Sequence, residues 1–126
     1  MKRRVNVEGV PGLPAFSHAV QVDDHIYVAG TLGTDAELNL AEGGTHAETL
    51  QALAWVKRIL EECGASLDDV VKVNVFLTDM STFEEMNEAY MSVFGDTVPA
   101  RITVGVSALA LGAAVELDCV AVLTPR

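Results

Sequence analysis

Val71, Val73, Val75 and Leu77 alternate with Lys72, Asn74, Phe76 and Thr78. That is the period of a strand with one buried face, and the apolar run suits an interior position in a sheet. Upstream the period changes: Leu53, Val56, Leu60 and Cys63 recur at helical spacing until Gly64, and Thr45 with Glu48 three residues later predicts a capping box. Glu48, Gln51, Lys57, Arg58 and Glu61 then form the solvated face of this helix, with Trp55 partly in the core. A second helix opens at Ser81 or Thr82 and carries a stripe of Phe83, Met86, Tyr90, Val93 and Phe94 up to Gly95, into which Asn87 intrudes. Phe16 to Val22 and His25 to Gly30 read as strands about the turn Asp23-Asp24, and Leu32 to Gly44 reads as a loop. Arg101 to Val106 and Val115 to Leu123 close the chain as strands on either side of Ser107 to Ala114. After a short N-terminal segment the order is ββ, α, β, α, ββ. Right-handed crossovers put both helices on one face of a single mixed β-sheet, an α+β domain spanning residues 1–126.

Charge narrows the function. Lys and Arg number 8 against 18 Asp and Glu, a formal charge of −10, which repels a phosphate backbone. Nucleic acid is not an expected partner. An anionic small molecule is repelled at long range as well, so a site for one needs its own cation. Met1-Lys2-Arg3-Arg4 has the charge of an export signal's start, but Glu8, Pro11 and Pro14 break up the next residues before any apolar run of useful length. The longest uncharged run, Ile102 to Val115, is fourteen residues, short of the roughly 20 that span a bilayer. A cytoplasmic protein without membrane partners is expected. Cys63 and Cys119 lack metal-ligand spacing, and His18, His25 and His46 are scattered, so the thiols read as packing groups and no metal is expected. Gly30-Thr31-Leu32-Gly33-Thr34 lacks the lysine of a phosphate-cradling loop.

One cation remains conspicuous. Ile102, Val104 and Val106 alternate with Arg101, Thr103 and Gly105, so Arg101 begins a strand among mostly apolar neighbours. Its guanidinium offers a rigid fork of donors that matches a carboxylate or phosphate. The anion is either a ligand or an internal Asp or Glu; the pattern leaves both open. Fifteen positions on, Glu116 and Asp118 lie two apart on a strand and share a face, about 7 Å apart. The deeper of the two carboxyls is the better suited to exchange protons near neutral pH.

Several motifs in register carry a more specific signal: Pro99-Ala100-Arg101, Glu116, Ala65-Ser66-Leu67-Asp68-Asp69-Val70-Val71-Lys72-Val73, and Val75-Phe76-Leu77-Thr78-Asp79-Met80. Over about residues 12–123 the chain resembles the reactive-intermediate deaminase family, also called YjgF/UK114. The resemblance implies a chorismate mutase-like α+β fold, assembled as a homotrimer with sites in the clefts between subunits. It also implies a cofactor-free enzyme that hydrolyses enamine and imine intermediates such as 2-aminoacrylate to a 2-keto acid and ammonia. Carried over by position, Arg101 grips the substrate carboxylate and Glu116 orients water and shuttles its proton. Phe16, Ala29, Gly30, Thr31, Asn87 and Thr103 are placed around the small imino or enamino acid. The chain departs from the best-characterised branch, which has tyrosine at Phe16, serine at Ala29 and glutamine at Thr31. Many members have cysteine at Thr103, and Ile102 replaces a small residue. Phe16 and Ala29 offer no side-chain hydrogen bond, so a changed or more apolar imine is expected. The alternatives are a ligand-binding or regulatory trimer that catalyses little and, last, an endoribonuclease or translation inhibitor, against which the charge counts.

Overall fold

Strand pairing in this molecule runs further than the apolar pattern alone predicts. The computed structural model describes residues 1–125. Its elements are β1 (Lys2–Val5), β2 (Ala19–Val22), β3 (His25–Leu32), α1 (Thr45–Glu62), β4 (Val70–Leu77), α2 (Phe83–Phe94), β5 (Ala100–Gly105) and β6 (Val115–Val122). The six strands form one sheet in the order β1-β2-β3-β6-β4-β5, antiparallel throughout except for β4 and β5. β4 is interior, as its pattern requires, and β6 lies between β3 and β4. The expected single mixed sheet with two helices is what the chain forms.

The N-terminal segment is itself a strand: Lys2 to Val5 pairs with β2. Its polar run carries no period because it is an edge strand. β2 starts at Ala19, not at Phe16; Phe16 and Ser17 belong to the loop before it.

One register row shows how the core is built. Val5, Ala19, Val28, Cys119, Val73 and Arg101 are successive partners across the sheet, and all but Arg101 are buried. On that face lie the buried residues of both helices, Leu53, Val56 and Leu60 of α1 with Met86, Tyr90 and Phe94 of α2, in one contiguous cluster. Each such large side chain contributes about 1.5–3 kcal/mol by leaving water. Cys63 and Cys119 are unpaired and buried. Burial pushes both thiols up, Cys119 to about 12, so both are packing groups.

Three expectations fail for physical reasons. Thr45 and Glu48 form no capping box: Gly44 occupies the N-cap position and Thr45 is already helical and buried. Glu48 is not solvated either. It is 5% exposed and its carboxylate accepts a 2.8 Å hydrogen bond from the Ala114 amide. Gly33 permits this closeness, because a Cβ there would run into the Glu48 backbone. Val71 leaves the buried face of β4 because a bulge between Val70 and Lys72 inserts one residue, and its side chain is 47% exposed.

The other face of the sheet carries no helix. Tyr27 and Ile102 are exposed there, with Val20, Phe76, Val104 and Val120 half-buried. Among the described residues no helix is long and apolar enough to cross a membrane.

Candidate active site

The sequence-predicted residues divide into two groups. Phe16, Ala29, Gly30, Thr31 and Glu116 line a single cavity of about 450 Å3. Asn87, Arg101 and Thr103 lie elsewhere, at the junction of α2 and β5. Arg101 pairs in register with Val73 on the helix-bearing face. Glu116 pairs with Leu32 and Phe76, and its neighbours Val115 and Leu117 are fully buried, so it projects from the opposite face. Within one protomer the cation is not set against the carboxylate.

Around Arg101 the contacts are aromatic. Its guanidinium carbon lies 4.7 Å from the centroid of the Tyr90 ring and 5.5 Å from that of Phe83. One of its nitrogens lies 3.9 Å from Met86 Sδ. Among the described residues no Asp or Glu pairs with it, so the internal ion pair left open by the sequence does not form. The Thr103 and Tyr90 hydroxyls are buried without hydrogen-bond partners. A half-buried guanidinium with no carboxylate partner among the described residues suits an anion with acceptor oxygens. Asn87 is half-buried, and its amide reaches only Met91 Sδ, at 3.7 Å, so its hydrogen-bonding capacity is largely unused.

Glu116 is positioned by the end of β3. A bulge between Val28 and Thr31 shifts the register by one residue and turns Gly30 towards β6. A Cβ at Gly30 would lie 2.6 Å from Glu116 Oε2, so the glycine makes room for the carboxyl. Burial pushes the Glu116 carboxyl up, and the Asp118 charge on the same face adds to this. Asp118 is held by a 2.8 Å hydrogen bond that Asn74 Nδ2 donates. Arg101 does nothing to lower the proton affinity of Glu116 within one chain, being on the other face.

The remaining walls of the cavity leave no signal in the sequence. Trp55 is partly buried, as its helical position predicts, but it also lines the cavity, and its Nε1 donates a 2.6 Å hydrogen bond to the Thr34 carbonyl. His18 accepts at Nδ1 from the Val7 amide and so carries its proton on Nε2, which donates to the Pro11 carbonyl; both distances are 2.9 Å. It pins the loop that forms one wall. Among the described residues no three His, Cys, Asp or Glu come together to hold a metal.

The sequence and the fold have counterparts. The family model described as endoribonuclease L-PSP matches residues 10–123. A RutC family protein of Pyrococcus abyssi is 41% identical over 107 residues, covering 84% of both chains. The 2-iminobutanoate/2-iminopropanoate deaminase of Homo sapiens is 35% identical over 127 residues, covering 99% of this chain and 93% of its own. The crystal structure of RidA from an Antarctic Psychrobacter species superposes with a TM-score of 0.90 at 36% identity, covering 96% of this chain and 99% of its own. Motifs in register, a six-stranded sheet in common and similarity along nearly the whole length agree, and the chain belongs to the YjgF/RidA family.

Proposed function

We propose that this protein hydrolyses 2-imino and enamino acids to 2-keto acids and ammonia, without a cofactor. We further propose that it does so as a closed homotrimer in which Arg101 of one protomer faces Glu116 of the next. The observation that carries the reading is the state of Glu116: a carboxyl lining a cleft, given room by Gly30, with proton affinity raised by burial and by Asp118, and with no cation paired with it among the described residues. A carboxyl with raised proton affinity is better suited to exchange protons with a bound substrate than one at its ordinary value.

The chemistry rests on these groups. Arg101 binds the substrate carboxylate through its guanidinium fork. The Glu116 carboxylate accepts a proton as a water oxygen bonds to the C=N carbon of the iminium form. The resulting carbinolamine takes that proton at nitrogen, the C–N bond breaks, and the hydroxyl proton leaves as C=O forms. One iminium and one water become one keto acid and one ammonium ion. Separation of Arg101 and Glu116 on opposite faces of one sheet supports a shared site, since a single protomer cannot present both to one small molecule. Apolar residues on the uncovered face, Tyr27 and Ile102 among them, favour burial against another copy.

Ammonia release tests the reading. With an amino-acid oxidase generating imines in situ, the protein should accelerate ammonia and keto-acid formation above the spontaneous rate, and a protein without effect on any imine would sink it. The endoribonuclease in the family model's description finds no support in a chain of charge −10.

A further inference from the structure

Resting on the imine-hydrolysis reading of the Glu116 site, we infer that the cavity beside Glu116 is a side-chain pocket for large apolar groups. Its preferred substrates are 2-imino acids bearing an aryl or branched-alkyl side chain, not the smallest imines.

Size is the first argument. An apolar cavity of roughly 150 Å3 is enough to hold a benzene ring. At about 450 Å3 this one takes a ring or branched chain together with the imino-acid head. A substrate ending in a methyl group leaves most of that space to water. Water needs two to four polar partners to be held in such a place, and the walls are mostly apolar. The side chains of Val10, Leu13, Phe16, Ile59 and Leu111 are apolar. The polar groups among the other walls are already engaged: His18 through both ring nitrogens, Trp55 through its indole N–H, and the Thr31 and Thr34 hydroxyls as donors to the Ala29 and Asp35 carbonyls. Among the described residues of the lining the carboxylic acid is Glu116. That combination, one carboxyl at the edge of an apolar chamber, fits a molecule with one protonated nitrogen and a large apolar remainder.

Backbone conformation is the second argument. Among the described residues three other than glycine have positive φ, and two of them, Leu38 at 70° and Leu111 at 61°, line this cavity. A leucine in the left-handed region is strained, and asparagine or glycine adopts that conformation more readily. Both side chains are largely exposed, 44% and 54%, so neither recovers that strain by burial within the chain. A bound apolar side chain supplies the contact they lack. Phe16 and Ala29 extend the same apolar surface.

The test compares imines generated in situ from alanine, leucine and phenylalanine. kcat/KM should be about tenfold to a hundredfold higher for the leucine and phenylalanine imines, the scale of burying one such side chain. The Leu38→Asp variant places a residue suited to the left-handed backbone, and a charge, at the pocket. It should reduce the phenylalanine-to-alanine ratio at least fivefold. Binding of product keto acids gives a readout independent of turnover, because Trp55 is the chain's one tryptophan and lines the pocket. Its emission should report 4-methyl-2-oxopentanoate with a Kd at least tenfold below that of pyruvate. Equal or faster turnover of the alanine imine overturns the pocket assignment and leaves the deaminase reading standing. Selective keto-acid binding with no turnover of any imine supports the pocket and overturns the deaminase reading. Failure of both turnover and selective binding overturns both.

Discussion

Replacing Glu116 with glutamine should separate activity from stability. The amide keeps the size of the side chain and its place over Gly30, but it neither accepts the proton of an attacking water nor returns it to nitrogen. Positioned acid-base groups are worth about 10²- to 10⁴-fold, so kcat should fall at least a hundredfold, close to 2.7 kcal/mol of barrier at about 1.36 kcal/mol per decade. Stability should move the other way. Burial and Asp118 raise the proton affinity of Glu116 in the folded state above its unfolded value. The favourable contribution of such a group is therefore fully present below the unfolded pKa and is lost as pH rises through the folded pKa. At neutral pH the ionised carboxylate opposes folding, and Glu116→Gln removes that opposition. The variant's unfolding midpoint at pH 7 should equal or exceed that of the parent, and the difference should shrink on acidification. Steady-state ammonia release and denaturant melts at pH 4 and pH 7 give both numbers. A variant that retains kcat within threefold, or loses activity only because it unfolds, would refute the role given to Glu116.

Asp118→Asn removes the second cause of the shift, so the acidic limb of the kcat profile should move to lower pH while kcat at its plateau falls less than tenfold; a pH-rate series decides. Arg101→Lys keeps the charge but loses the planar fork stacked on Tyr90, and kcat/KM for carboxylate-bearing imines should drop about tenfold or more in a folded protein. Glu48→Ala leaves the Ala114 amide without its acceptor, and chemical unfolding should show a loss of about 1–3 kcal/mol with kcat little changed.

Which features are legible in the sequence depends on what periodicity records. β4, β6 and both helices announce themselves because one face of each is buried against a common core, so apolar residues recur at fixed intervals. β1 does not: Lys2, Arg3 and Arg4 pair through their backbones at an edge, and only Val5 reaches the core. Glu48 reads as surface because a charge on an amphipathic helix normally faces water. Its burial depends on Gly33 and Ala114, distant in sequence, which no local pattern reveals. The candidate site residues are recognisable singly, from motifs around Arg101 and Glu116. Their placement on opposite faces is not, because the face of a strand residue depends on register with its neighbours, and Val73 and Phe76 of β4 set that register for the two. The left-handed backbones of Leu38 and Leu111 leave no mark in an apolar pattern at all.

The shared site is the central claim, and subunit mixing tests it most directly. Arg101→Ala and Glu116→Gln proteins, each inactive alone, are co-refolded in equal amounts and assayed for imine hydrolysis. In a cyclic trimer with sites between neighbours, about one site in four then combines an intact Arg101 from one subunit with an intact Glu116 from the next, so about a quarter of the parental activity should return. If the mixed protein, confirmed as trimeric by light scattering, stays as inactive as its parents, Arg101 and Glu116 do not meet across a subunit boundary and the account is wrong.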